Sequence, residues 1–280
     1  MEATLDIERD RARAGGILLA SDFSPRSDRA LDRALRIAGE WSAPLAILHV
    51  EEPPERQGKP ADLIRDELRG ELPPQASTAE LVIRIGSLPT VLVAEATERH
   101  SALIVTAVAR HNSIGDYILG TSVDYIVRKA SVPVLVVRRR ADRSYGTVIV
   151  ATDFSDCSRR ALAVAADFFP HAGLRVIHAY PGSGFRMSLE DRNEHNASEA
   201  SARMAAFLEA AKLPAEAARR IETELHEGEI SAAIERCRRV TGAELVVLGR
   251  SGRKELVQAL IGSTAETILN TVHADILIVP

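Results

Sequence analysis

The sequence predicts two tandem α/β domains of one kind, each a doubly wound, mostly parallel sheet of five strands with helices on both faces. Three observations carry that prediction. The 280-residue chain repeats itself, short apolar runs alternate with stretches of helical period, and the breaks between them fall on Gly, Pro, Ser and Asp.

Ile17-Leu-Leu-Ala-Ser-Asp-Phe-Ser24 matches Val148-Ile-Val-Ala-Thr-Asp-Phe-Ser155, and Leu45-Ala-Ile-Leu-His-Val50 matches Leu174-Arg-Val-Ile-His-Ala179. From Gly86 to Val137 the first half aligns without a gap with Gly228 to Val279. Three colinear blocks of this length mark a duplication, which sets the domains at residues 14–140 and 145–280.

Each copy reads strand, helix, strand, helix, strand, helix, strand, helix, strand. The first strands, Gly16 to Ala20 and Thr147 to Ala151, are apolar runs of the kind buried on both faces of a sheet. Ser24-Pro25 reads as a helix opening, a hydroxyl N-cap followed by proline at the first helical position, and Ser155 can cap the equivalent helix. Ala30, Leu31, Ala34, Leu35 and Ala38 then recur at helical spacing and give one apolar face. The second strands end at His49-Val50 and His178-Ala179. Glu80 to Ile85 and Arg220 to His226 alternate apolar and polar residues, as partly exposed strands do. Ala102 to Thr106 and Glu244 to Leu248 are the fourth strands; Val134 to Val137 and Ile276 to Val279 are the fifth. Strands alternating with helices imply parallel pairing through right-handed crossovers.

The second copy is longer between His178 and Gly228, by 13 residues relative to His49 to Gly86. The excess falls around Phe185 to Leu213 and reads as a helix with Met204, Phe207, Leu208 and Ala211 on one face. Arg138 to Gly146, polar and without apolar period, reads as a solvated linker.

Apolar residues at 46% and charged residues at 26% fit folded domains, and halves of this size can bury a core without staples. A net charge of −4 provides no basic field for nucleic acid, and 4% aromatics offer no platform for stacked bases. Cys157 and Cys237 have neither disulfide-framework nor metal-knuckle spacing. The charged stretch from Met1 to Arg13 lacks the apolar core of a signal peptide, and no apolar run approaches the roughly 18 residues of a membrane span. A cytoplasmic protein, without nucleic-acid or membrane partners, is the expectation.

The chemistry concentrates after the fourth strand of the second half, in Leu248-Gly249-Arg250-Ser251-Gly252 followed by Gly262-Ser263-Thr264. In an open parallel sheet, ligands bind beyond the carboxyl ends of the strands. Gly249 and Gly252 allow close approach of backbone to phosphate, and Gly262-Ser263 opens a helix whose free N–H groups favour negative charge. Arg250, Arg253 and Lys254 add positive charge, and Ser263 and Thr264 add hydroxyl donors. No Walker loop and no Rossmann fingerprint is present.

These residues resemble the universal stress protein family, specifically its tandem members, over nearly the whole chain from Gly16. The motifs that carry the resemblance are Thr152-Asp153-Phe154-Ser155, the strand end at His178, and Gly249-x2-Gly252-x9-Gly262-Ser263. The resemblance implies an adenine nucleotide alpha-hydrolase-like fold and a stress-response role. It also implies ATP or another adenine nucleotide, with or without Mg. By the same carry-over Ala151, Thr152 and Asp153 line the adenine and ribose end with Ala179 beside them. Leu248 and Gly249 flank the adenosine, while Gly252, Gly262, Ser263 and Thr264 hold the phosphates.

The first half departs from this pattern. Ala107 and Arg110 stand where the glycines Gly249 and Gly252 stand, so the first pocket is expected to be weak or empty. Ala107 fits there only with a negative φ. Asp22 is expected to build a turn, and Asp153 to face a ligand. His49 and His178 read as packed or backbone-bonded, and Cys157 as a small helix residue beside the pocket. No catalytic base, nucleophile or metal set is evident. Three functions fit this pattern: a nucleotide-binding regulator, a slow ATPase or self-phosphorylating enzyme, and an interaction module with vestigial pockets. The fifth strands predict a further partner, the other half of the chain. Two apolar edge strands can pair reciprocally as a pseudo-twofold, within reach of a nine-residue linker that extends to about 30 Å, and a homodimer is the alternative cover.

Overall fold

A computed structural model describes residues 13–51, 61–108, 120–180, 189–250 and 263–280. The chain divides into two compact units between Ser144 and Tyr145.

In the first unit the strands are β1 (Ile17–Ala20), β2 (Leu45–Glu51), β3 (Glu80–Ile85), β4 (Leu103–Ala107) and β5 (Val134–Val137). Their order is β3-β2-β1-β4-β5 and every pair is parallel. The helices are α1 (Asp28–Trp41), α2 (Ala61–Glu71), α3 (Leu88–Glu98) and α4 (Thr121–Lys129), with a short 3-10 turn at Pro74–Ala76. Successive residues of a strand point to opposite faces, so the unbroken burial of β1 and β5 means that both faces of the sheet are covered.

The second unit repeats the plan with β6 (Thr147–Ala151), β7 (Gly173–Tyr180), β8 (Ile221–Glu227), β9 (Leu245–Gly249) and β10 (Asp275–Val279). The order is β8-β7-β6-β9-β10, again all parallel. Its helices are α5 (Asp156–Phe168), α6 (Leu189–Ala211), α7 (Ala215–Arg219), α8 (Ile230–Thr241) and α9 (Ser263–Thr271). The alternating strands β3 and β8 are outer strands and are partly exposed, as their pattern predicts. The added length lies in α6, which has 23 residues where α2 has 11, and on it Met204 and Phe207 are buried. Tyr145 donates a buried 2.6 Å hydrogen bond to Asp275 Oδ2 and so ties the entry of β6 to the start of β10.

Two local readings are corrected. Ser24 is not the cap of α1. Its hydroxyl donates to Asp22 Oδ1 at 2.7 Å, the residues through Ser27 form turns, and the α-helix begins at Asp28. The basic run after β5 is also no free linker, because arginines at helical spacing on α1 hold it. Arg29 donates to the Arg138 carbonyl at 3.0 Å, Arg33 to Arg143 at 2.9 Å and Arg36 to Asp142 at 3.3 Å. On α1 itself Ile37 and Trp41 join Ala30, Leu31, Ala34 and Ala38 in the core, while Leu35 is only half-buried.

Candidate functional site

The sheet order reverses between β6 and β9, and their carboxyl ends, with that of β7, form the crevice where such sheets bind ligands. Ala151, the last residue of β6, pairs with Ile177, and the Thr152 N–H continues the ladder to the Ile177 carbonyl at 2.9 Å.

The turn after β6 is built by its own polar side chains. Phe154 N–H donates to Thr152 Oγ1 at 2.9 Å, and Ser155 N–H to Asp153 Oδ1 at 3.0 Å. These nested side-chain turns hold Phe154 in the left-handed region, φ 64°, a conformation costly for a residue with a Cβ. Thr152 Oγ1 also meets Ser158 Oγ at 2.9 Å, and Ser155 Oγ caps α5 by accepting from Ser158 N–H at 3.2 Å. Thr152 is thereby turned inward, and Asp153 is the exposed polar residue of the turn. Loss of solvent around Asp153 would raise its pKa, but hydrogen bonds from Ser155 and Ser158 outweigh that and hold the carboxyl below its ordinary value, so it is ionised near neutrality.

His178 closes the turn from β7. Its Nδ1 lies 2.8 Å from the Thr152 carbonyl, which can only accept, so Nδ1 carries the proton. The imidazole packs on Phe154 with centroids 4.1 Å apart, and α6 reaches the same ring through Phe207 at 5.8 Å and the Arg203 guanidinium at 4.9 Å. Burial lowers the His178 pKa and Arg203 lowers it further, against the opposing effects of the Thr152 bond and Asp153.

Gly249 ends β9 against the first turn of α5. A Cβ there would lie 2.5 Å from the carbonyl carbon and oxygen of Cys157, so the absence of a side chain is dictated by packing as well as available for a ligand. Leu248 is buried beside it, and Ala179, paired with His226, is half-buried near the end of β7. Arg250 N–H donates to the Val279 carbonyl at 2.7 Å, and burial lowers the pKa of its guanidinium, near Cys157 and Arg160. Arg160 in turn donates to Cys157 Sγ at 3.2 Å. Ser263 opens α9 and Thr264 is exposed on its first turn. Gly252, Arg253, Lys254 and Gly262, and Arg110 of the first half, lie outside the described residues.

The structure thus brings together Ala151, Thr152 and Asp153 with Ala179 at the ends of β6 and β7, and Leu248 and Gly249 at the end of β9 with Arg250 directly after it. Sequence reasoning assigned no role at the site to Phe154, Ser158, Arg203 or Phe207, although Phe154 stands in the motif and Phe207 on the apolar face of α6. The available signal for the first two was the repeated Asp-Phe-Ser-x-x-Ser, in which even the spacing of the second serine is kept. Among the described residues no three His, Cys, Asp or Glu side chains converge as a metal site requires, and no helix is long and apolar enough to cross a membrane.

A family model described as the universal stress protein family matches residues 15–138 and again 144–280. Solved structures similar to the chain include a functionally unknown protein from Pseudomonas aeruginosa PAO1, 22% identical with a TM-score of 0.68, over 96% of this chain and 93% of that one. A putative universal stress protein from Pseudomonas aeruginosa UCBPP-PA14 is 24% identical with a TM-score of 0.68, over 96% and 94%. One from Archaeoglobus fulgidus DSM 4304 is 16% identical with a TM-score of 0.65, over 95% and 98%. No curated protein matches in sequence.

Proposed function

This chain belongs to the universal stress protein family, and on that premise we propose that it is a nucleotide-binding stress-response regulator whose second half takes one ATP or another adenine nucleotide, with or without Mg. The observation that carries this reading is the crevice between β6 and β9, where an ionised, exposed Asp153 sits on a braced turn opposite the Gly249 strand end. Asp153 Oδ1 is held by Ser155, which orients the carboxylate, and an acceptor there suits the hydroxyls of a ribose. Ala151 and Leu248 supply small apolar walls for a base, with Ala179 alongside. Gly252, Gly262, Ser263 and Thr264 take the phosphates through backbone N–H groups and hydroxyls, with Arg250 and Arg253 supplying charge. In this reading the output of binding is a change in conformation or partner.

Calorimetric titration of the full chain with ATP, with and without Mg, tests this. One nucleotide per chain is expected, and Gly252→Arg, which gives the second half the residue that Arg110 gives the first, abolishes binding with the fold intact. No binding leaves the interaction module with vestigial pockets. Two equal sites refute the assignment to the second half. Turnover of bound ATP makes the protein a slow enzyme.

A further inference from the structure

Asp153, the exposed carboxylate of the crevice, and Phe154, the ring on which α6 rests, are neighbours in the chain. One turn therefore serves both the crevice and the helix. Ser155 N–H donates to Asp153 Oδ1 at 3.0 Å and Phe154 N–H donates to Thr152 Oγ1 at 2.9 Å, so one pair of nested side-chain turns orients the carboxylate and the ring together. Phe154 is held at φ 64°, a strained conformation of the kind that gathers at ligand clamps and switch regions.

The helix above that ring is lightly held. α6 packs on α5, β7 and β8, and over residues 197–211 its buried side chains are Ala200, Met204 and Phe207, a narrow stripe at helical spacing. Phe207 meets Phe154 edge-on with centroids 5.8 Å apart, and Arg203, one turn earlier, sets its guanidinium 4.9 Å from the same ring. Few buried apolar contacts give a helix a low free energy of local opening, so its docking answers to small changes in the surface beneath it. The first half keeps the turn without this load. The sequence of α2 contains no aromatic residue, Ile64 is its buried apolar side chain among the described residues, and Phe23 meets His49 at 5.6 Å.

We infer that α6 reads the occupancy of the second-half crevice: a nucleotide held at Asp153 tightens the docking of α6 onto Phe154. The inference rests on the nucleotide reading above and adds the element that carries its output. A ribose hydroxyl donating to the Asp153 carboxylate restrains a side chain whose other bond, to Ser155 N–H, shapes the turn. The restrained turn fixes the ring that follows directly in the chain, and α6 docks on a fixed ring better than on a moving one. A ligand shifts such an equilibrium only by its unequal affinity for the two states, here the docked and the open helix. The coupling is reciprocal, so the factor by which nucleotide favours docking is the factor by which docked α6 favours nucleotide.

The test is hydrogen exchange of the full chain by mass spectrometry, with and without saturating ATP, beside calorimetric titration of the same preparations. Amides of residues 197–211 should exchange at least about fivefold more slowly with ATP, the lower end of ordinary coupling factors. α8, which packs on β6 and β7, is the internal control and should slow less. Phe207→Ala should lose the α6 response and bind ATP at least about fivefold more weakly, by reciprocity. Arg203 is exposed, so Arg203→Gln serves as a second arm should Phe207→Ala fail to fold; it should diminish the α6 response by about twofold or more, the worth of an exposed cation–π contact. ATP binding with unchanged exchange in α6, equal slowing of α6 and α8, or a response undiminished in the variants would overturn this inference and leave the nucleotide reading standing. Absence of saturable binding in the calorimeter would overturn that reading and this inference with it.

Discussion

The turn after β1 and the turn after β6 share Asp-Phe-Ser and the same inner hydrogen bonds, yet only the second runs straight into an α-helix. In both, a hydroxyl accepts from the phenylalanine N–H, Ser21 at 3.1 Å and Thr152 at 2.9 Å. In both, the aspartate accepts from the serine N–H at 3.0 Å, and a histidine Nδ1 meets the carbonyl that opens the turn. Phe23 and Phe154 are both left-handed, with φ 57° and 64°. A strained conformation kept in both copies, despite different helix starts, is determined by the turn itself and not by the helix beyond it. The helix start, by contrast, differs together with the residue that ends the fourth strand, Ala107 or Gly249. Where Gly249 lies bare, Cys157 and Ser158 settle onto it as helix and Ser155 caps them. Where Ala107 carries a Cβ, Ser24 turns its hydroxyl to Asp22 and the helix starts later.

That comparison is broken most forcibly at the glycine. Gly249→Ala sets a Cβ 2.5 Å from backbone atoms of Cys157, which cannot step aside as a flexible side chain could. Overpacking of this kind costs about 2 kcal/mol, and denaturant unfolding should show that loss. Ala107→Gly relieves no clash and should cost at most about 1 kcal/mol through added backbone freedom. Equal losses at the two sites would mean that the glycine contact does not set the helix start.

The parallel five-stranded sheets were legible because the duplication aligned each strand with a second copy, and because unbroken apolar runs such as Val134 to Val137 have few other uses; the strand order came from the structure. Strand ends moved by a residue at β1, β4, β8, β9 and β10, since apolarity fades gradually where a strand leaves the core. The helix opening at Ser24-Pro25 was misread for a different reason. The residues are those of a good cap, but the Ser24 hydroxyl donates to Asp22 Oδ1, a competing local partner that composition does not rank against the cap. The linker was misread because polar composition does not distinguish a solvated strand from one held by the arginines of α1. For the candidate site, Asp153 and Gly249 were visible as motif positions. Arg203 and Phe207 were not, because their bearing on Phe154 exists only once α6 is folded over the turn.

The aromatic brace offers a smaller contrast. Phe154 touches His178, Phe207 and Arg203, whereas Phe23 meets His49 edge-on with centroids 5.6 Å apart. Substitution to alanine keeps a Cβ in the left-handed region at both positions, so the backbone strain cancels between the two variants. Phe154→Ala should then exceed Phe23→Ala by about 1 kcal/mol, the worth of an additional aromatic contact. Unfolding curves that place the two losses together would show that α6 does not brace the turn.

The smallest expected effect is a dependence on pH carried by His178. Its pKa in the folded protein is depressed below the ordinary 6.5, chiefly by burial and further by Arg203, despite the opposing Thr152 bond and Asp153 carboxylate. A depressed value means that the unfolded chain binds the proton more readily than the folded one. The stabilisation is therefore complete above about pH 6.5 and is lost as pH falls through the depressed folded value. Asp22 and Asp153 are also depressed, but from 3.8, so their contributions fade in a separate and more acid window. His178→Asn keeps an N–H to donate to the Thr152 carbonyl and removes the titration. Stability measured by denaturant at intervals from about pH 7 to pH 5 should fall for the wild type and run flatter for the variant, the two curves converging in slope above pH 6.5. If both slopes are the same throughout, the imidazole is not titrating against the fold, and burial on the Phe154 ring is not what sets its charge.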